Sequence, residues 1–141
     1  MIESPMSQEW RELKDIPLPN DRIEKGIADL VRALTGLGIK TNESCEGHLD
    51  KPDGSLHPWV TFFPFPFMYP NALELSTRLA RLRQATEDYN SKSPIKWEIS
   101  MRGYLVPTAK ASNIDELLTL QKDASQFANF IFGNHIKPSK Q

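Results

Sequence analysis

Cys45, the only cysteine of the 141-residue chain, stands in the stretch TNESCEGHLD with Glu46, His48 and Asp50, and a second histidine, His57, follows across a loop. Thiolate and imidazole suit zinc, and Cys45-x2-His48 has the spacing of a ligand pair. With His57 as third ligand, a fourth position would stay open for water, and Glu46 could serve as its base; the class would be a hydrolase or a deaminase-like enzyme. The same residues allow two other chemistries. Cys45 could be a nucleophile with His48 or His57 as its base, although Glu43 and Glu46 beside it would raise the thiol pKa and oppose activation. Alternatively the loop binds a ligand without transforming it. Ser44, Cys45, Glu46, His48 and Asp50 then supply polar groups, and Gly47 lets the backbone come close.

Aromatic residues follow the loop directly. Trp59, Phe62, Phe65, Phe67 and Tyr69 can offer a ring for stacking, and Arg102 and Tyr104, from the other half of the chain, can close the site. A base would stack on an aromatic, while its phosphate or ribose would meet Arg102, His48 and backbone amides. A polar, ring-containing ligand, nucleotide-like in character, is therefore the first expectation. Blander readings compete. Cys45 can be a buried small hydrophobe, Glu46 and Asp50 solvated turn residues, and His57 a loop residue held extended by Pro58. The aromatic run over 62–69, if unburied, would be a docking patch for a partner, as in a phage or host assembly factor, or for a second copy in a two-fold dimer.

The elements that must position these residues follow from spacing. Ile23, Ile27, Leu30, Val31 and Leu34 predict a helix over 21–36, capped by Asn20 or Asp21 and ended by Gly36 and Gly38. A strand over 39–44 delivers Cys45, a loop over 46–57 turns at Pro52-Asp53-Gly54, and a second strand runs over 59–63. The prolines of PFPFMYP rule out a central strand and imply an extended connection whose rings cover the core. Asn71 caps a second helix with Leu75, Leu79 and Leu82 inward. Ile95, Trp97, Ile99 and Met101 alternate as a half-buried strand, and Arg102-Gly103 turn it into Tyr104, Leu105 and Val106. Ser112 or Asn113 starts a third helix with Ile114, Leu117, Leu118, Phe127, Phe130 and Ile131 inward and Gly133 as its stop. This order implies an α+β two-layer sandwich, a mostly antiparallel sheet of about four strands with three helices. The expected layout is one domain over 20–134, an N-terminal arm over 1–19 with a helical turn near Trp10, and a tail over 135–141.

Composition narrows the setting. Seventeen basic and eighteen acidic residues leave no basic field for nucleic acid or anionic membrane. No apolar run approaches the roughly 20 residues that span a bilayer, and the polar, acidic start MIESPMSQEW is no signal peptide. A lone cysteine makes no internal disulfide, so a cytoplasmic setting is expected.

GIKTNESCEGHLD leading into PWVTF resembles a motif of small bacterial and phage proteins, in which a helix ends at glycine, a strand follows, and Ser-Cys-Glu-Gly-His precedes a loop and a Pro-aromatic-Val strand. The resemblance spans residues 36–63 and implies a site at this loop, with no assigned activity. A fainter similarity is to tRNA wybutosine-synthesis enzymes with Ser-Cys-Ser-Gly-Arg after a strand. Glu46 and His48 stand here in place of that serine and arginine.

Overall fold

Apolar residues at helical spacing bury one face of each helix and hold the sheet against it. The computed structural model describes residues 13–50 and 55–136. Its elements are α1 (Lys25–Gly36), β1 (Thr41–Cys45), β2 (Trp59–Phe62), a 3₁₀ turn (Pro66–Met68), α2 (Ala72–Asn90), β3 (Trp97–Ile99), β4 (Tyr104–Pro107) and α3 (Ile114–Ile131), which runs into a π turn (Phe132–Ile136). The sheet has the order β1-β2-β4-β3, and each neighbouring pair is antiparallel. The fold is α+β, as the sequence implies.

The larger of two apolar clusters joins the layers. Ile27, Leu30, Val31 and Leu34 of α1 meet Val60 and Phe62 of β2, Trp97 of β3, Leu105 of β4 and Phe127 and Ile131 of α3. Burial of such side chains contributes about 1.5–3 kcal/mol each. Asp123 is buried within it, and its carboxylate accepts from the Tyr89 hydroxyl (2.7 Å) and from Trp97 Nε1 (2.8 Å). Both donors are neutral, so the carboxylate gains hydrogen bonds in place of water without an ion pair at those atoms. Burial and the bond to Asp123 push the Tyr89 hydroxyl pKa upward.

Several local expectations change. α1 begins at Lys25, because Asn20 spends its side chain on the Arg22 amide (2.8 Å) instead of capping a helix. The long strand shortens to Trp97–Ile99, because the chain turns tightly from Ser100 to Tyr104 and leaves Met101 fully exposed. The rings of Phe65 and Phe67 do not cover the core. Pro66 starts a 3₁₀ turn that leaves them 48% and 81% exposed, stacked on each other at 5.7 Å, and only Tyr69 of this run's later rings is buried. Ile114 and Leu118 point outward from α3, and Gly133 does not end the helical path, which continues to Ile136.

The segment ahead of α1 joins the core from residue 13 onward. Leu13 is fully buried, Lys14 pairs with the buried Asp29 (2.8 Å), and Arg32 Nε donates to the Ile16 carbonyl (3.1 Å). Ile136 packs against the same core. The turn expected near Trp10, the Pro52-Asp53-Gly54 turn and the tail beyond 136 lie outside the described residues. Among the described residues, no helix is long and apolar enough to cross a membrane.

Candidate functional site

β1 ends with Cys45 paired to Trp59, and the chain then folds over the start of α1. Gly47 makes the fold-over with φ +91°, a left-handed backbone that favours glycine. Space is short as well: a Cβ there would lie 2.7 Å from Leu117 Cδ1 and 3.1 Å from the His57 backbone.

Glu46 is fixed on three sides. Its Oε1 accepts from the Gly26 amide in the first turn of α1 (2.8 Å), its own amide donates to Glu24 Oε1 (2.9 Å), and its carbonyl accepts from Gln121 Nε2 of α3 (2.9 Å). The loop therefore caps α1 from a distance. It puts a carboxylate where the helix presents unpaired N–H groups and positive dipole. A Cβ at residue 26 would stand 2.8 Å from Glu46 Oε1 and from Gln121 Cδ, so Gly26 permits the close approach. Glu46, a candidate base on sequence grounds, is here a cap.

Glu24 is the hub. It occupies the N-cap position of α1 yet makes no capping bond with its side chain. Its Oε2 accepts from His48 Nε2 (2.8 Å), and its Oε1 takes the Glu46 amide. Cys45 lies at the same point. Burial pushes its thiol pKa up, the Gly47 amide on its sulfur (3.3 Å) acts against this, and Glu24, by charge and hydrogen bond, and Glu46 add to the rise. The thiol is thus held protonated near neutral pH, which opposes a nucleophilic role. The negative charge responsible comes from Glu24 and Glu46, not from Glu43. His48 is anchored by its amide to the Ser55 carbonyl (2.8 Å), and its Nδ1 lies 4.0 Å from Asp50 Oδ1. The ligand-capable atoms of Glu24, Cys45 and His48 all lie within 4.8 Å of one another.

His57 is not in that group. Its Nδ1 donates to the Pro58 carbonyl (3.2 Å), so its ring is engaged locally. The remaining candidates divide between two grooves. Glu46, Gly47, His48, Leu49 and Asp50 line one side of an open groove of about 580 Å³, with Ile114, Leu117, Leu118 and Gln121 of α3 opposite. Ser44 and Trp59 line a smaller one of about 330 Å³ with Asn20, Arg22, Ile23, Asn42 and Glu43. Tyr104 packs its ring on Trp59 at 6.1 Å, and Arg102 is exposed in the β3–β4 turn, among the lining residues of neither groove.

Sequence reasoning missed Glu24 and Gln121 as site residues. Glu24 reads as part of a local capping box, and nothing local in the sequence pairs Gln121 with a loop 75 positions away. Scans against protein-family models, curated proteins and solved structures each returned no match to this chain.

Proposed function

We propose that the protein binds a small molecule in the groove between the Ser-Cys-Glu-Gly-His loop and the first half of α3. The observation that carries this reading is the pairing of walls. One side offers Glu46, His48 and Asp50, and the other offers Ile114 and Leu118, apolar side chains left 58% and 53% exposed at the groove. Ligand sites commonly combine an apolar wall with a few placed polar groups, in volumes of about 300–1,000 Å³. Fixing of Glu46 at both ends adds preorganisation, which lowers the cost of binding.

The polar wall carries carboxylates and an imidazole, with no arginine or lysine among the described lining residues. A hydrogen-bond donor or a cation suits it better than a phosphate. The ligand class is therefore an apolar body with a donor or cationic head. A nucleotide would fit the other groove better, where Trp59 offers a ring and Arg22 a cation.

The test is an amide-resonance titration of ¹⁵N-labelled protein with two probes, n-hexylammonium and adenosine monophosphate. The expected result is that hexylammonium moves the resonances of Gly47, His48, Leu118 and Gln121, and that Leu118→Ser weakens this response. No response to hexylammonium at these residues overturns the proposal. So does a response confined to Ser44 and Trp59 with adenosine monophosphate.

A further inference from the structure

Glu24 and the pair Cys45 and His48 reach the same point from two separate parts of the chain, with ligand-capable atoms within 4.8 Å of one another. The set is one carboxylate, one sulfur and one imidazole nitrogen, the three donor types that zinc takes. All three residues are partly exposed, so an ion has a way in. We propose that Glu24, Cys45 and His48 form a mononuclear zinc site, with the fourth position open to water, beside the groove that His48 also lines.

The surroundings are those of an ordered ligand set. The Glu46 amide holds Glu24 Oε1 (2.9 Å), which orients the carboxylate. The Gly47 amide donates to Cys45 Sγ (3.3 Å), a bond that a thiolate accepts more strongly than a thiol does. Asp50 Oδ1 stands 4.0 Å from His48 Nδ1. With the ion on Nε2, the ring proton sits on Nδ1, on the side of that carboxylate but beyond direct hydrogen-bond reach of it. Zinc then takes the place of two hydrogen-bonded protons. Cys45 releases its thiol proton to solvent and becomes a thiolate. His48 binds through Nε2 as the neutral Nδ1–H tautomer. The Nε2–Oε2 contact, now 2.8 Å, opens to the roughly 3.3–3.8 Å edge of a tetrahedral site. His57, with its Nδ1 on the Pro58 carbonyl, stays outside the set.

The ion needs no occupant in the groove, so metal binding alone is the readout and is independent of the ligand proposed above. Cobalt(II) is the probe, since it reports sulfur ligation by colour and zinc displaces it. Full-length protein is stripped with chelator, exchanged into chelator-free buffer and titrated with cobalt chloride. One equivalent is expected to bring a near-ultraviolet thiolate-to-cobalt band and the intense visible bands of a tetrahedral ion, both removed by zinc. Cys45→Ser removes the near-ultraviolet band. Asp50→Asn, an exposed change that spares the fold, leaves cobalt affinity close to the parent's, because at 4.0 Å its carboxylate does not hold the His48 ring. Glu24→Gln weakens that affinity by at least about tenfold, and His57→Gln binds cobalt as the parent does. Absence of the thiolate band in the parent protein overturns the site. A band that survives Glu24→Gln at full affinity, or that is lost in His57→Gln, overturns the ligand assignment.

Discussion

α1 differs from α2 and α3 in how its first turn is satisfied. α2 and α3 solve the problem locally: Asn71 accepts from the Glu74 amide (2.8 Å) and Asn113 from the Glu116 amide (2.9 Å), each three residues on. In α3 Glu116 also reaches back past the cap, its Oε1 taking the amide of Ser112, the residue before Asn113 (2.7 Å). α1 has Glu24 at the equivalent position, and its carboxylate turns to His48 and the Glu46 amide instead. Glu46 then supplies the missing acceptor from 20 positions away. Where a helix start is ordinary, its cap is its own. Where the cap is borrowed, the residue that could have served is engaged elsewhere, and that elsewhere is the candidate site.

Breaking the borrowed cap should cost more than breaking either local one, and the largest effect is expected at Gly47. Gly47→Ala combines a strained left-handed backbone, about 1–3 kcal/mol, with a Cβ that meets Leu117 at 2.7 Å. A fall of roughly 2–4 kcal/mol in unfolding free energy is expected from these two costs together, measured by urea denaturation. Glu46→Ala comes next. It removes the α1 cap and loosens the loop, for about 1–2 kcal/mol, and Glu46→Gln should recover most of it because an amide oxygen still accepts from Gly26. Asn113→Ala is expected to cost about 1 kcal/mol and to leave the loop unaffected; if it disturbs the loop as Glu46→Ala does, the contrast between the helices disappears.

Glu24→Gln should have the smallest effect on stability and a clear effect on chemistry. The parent thiol, raised by burial and by Glu24, should react with iodoacetamide slowly at neutral pH, with a rate that climbs only at pH above that of an ordinary cysteine. Removing the Glu24 charge should shift that profile to lower pH. An unchanged profile with a weakened α1 would mean that Glu24 is a structural residue of the helix.

The local parts of this design were legible in the sequence. Asn71 and Asn113 announce their helices because the bond partner is three residues away, and Ile27, Leu30 and Leu34 announce a buried face by period alone. The Ser-Cys-Glu-Gly-His stretch stood out by residue type. The partners of that stretch did not, because Glu24 and Gln121 reach it only through the packing of α1 and α3, across 24 and 75 positions. His57, close in sequence, looked the better third ligand for the same reason. Phe65 and Phe67 were misplaced because hydrophobicity suggested burial while Pro66 set a turn that turns both rings outward.

Amide hydrogen exchange at Gly26 tests the borrowed cap most directly. The Gly26 N–H should be protected in the parent protein, remain protected in Glu24→Gln, and exchange quickly in Glu46→Ala while the Glu74 and Glu116 amides keep their rates. A Gly26 amide that exchanges freely in the parent, or is indifferent to the loss of Glu46, would contradict the loop as the cap of α1 and with it the release of Glu24 to Cys45 and His48.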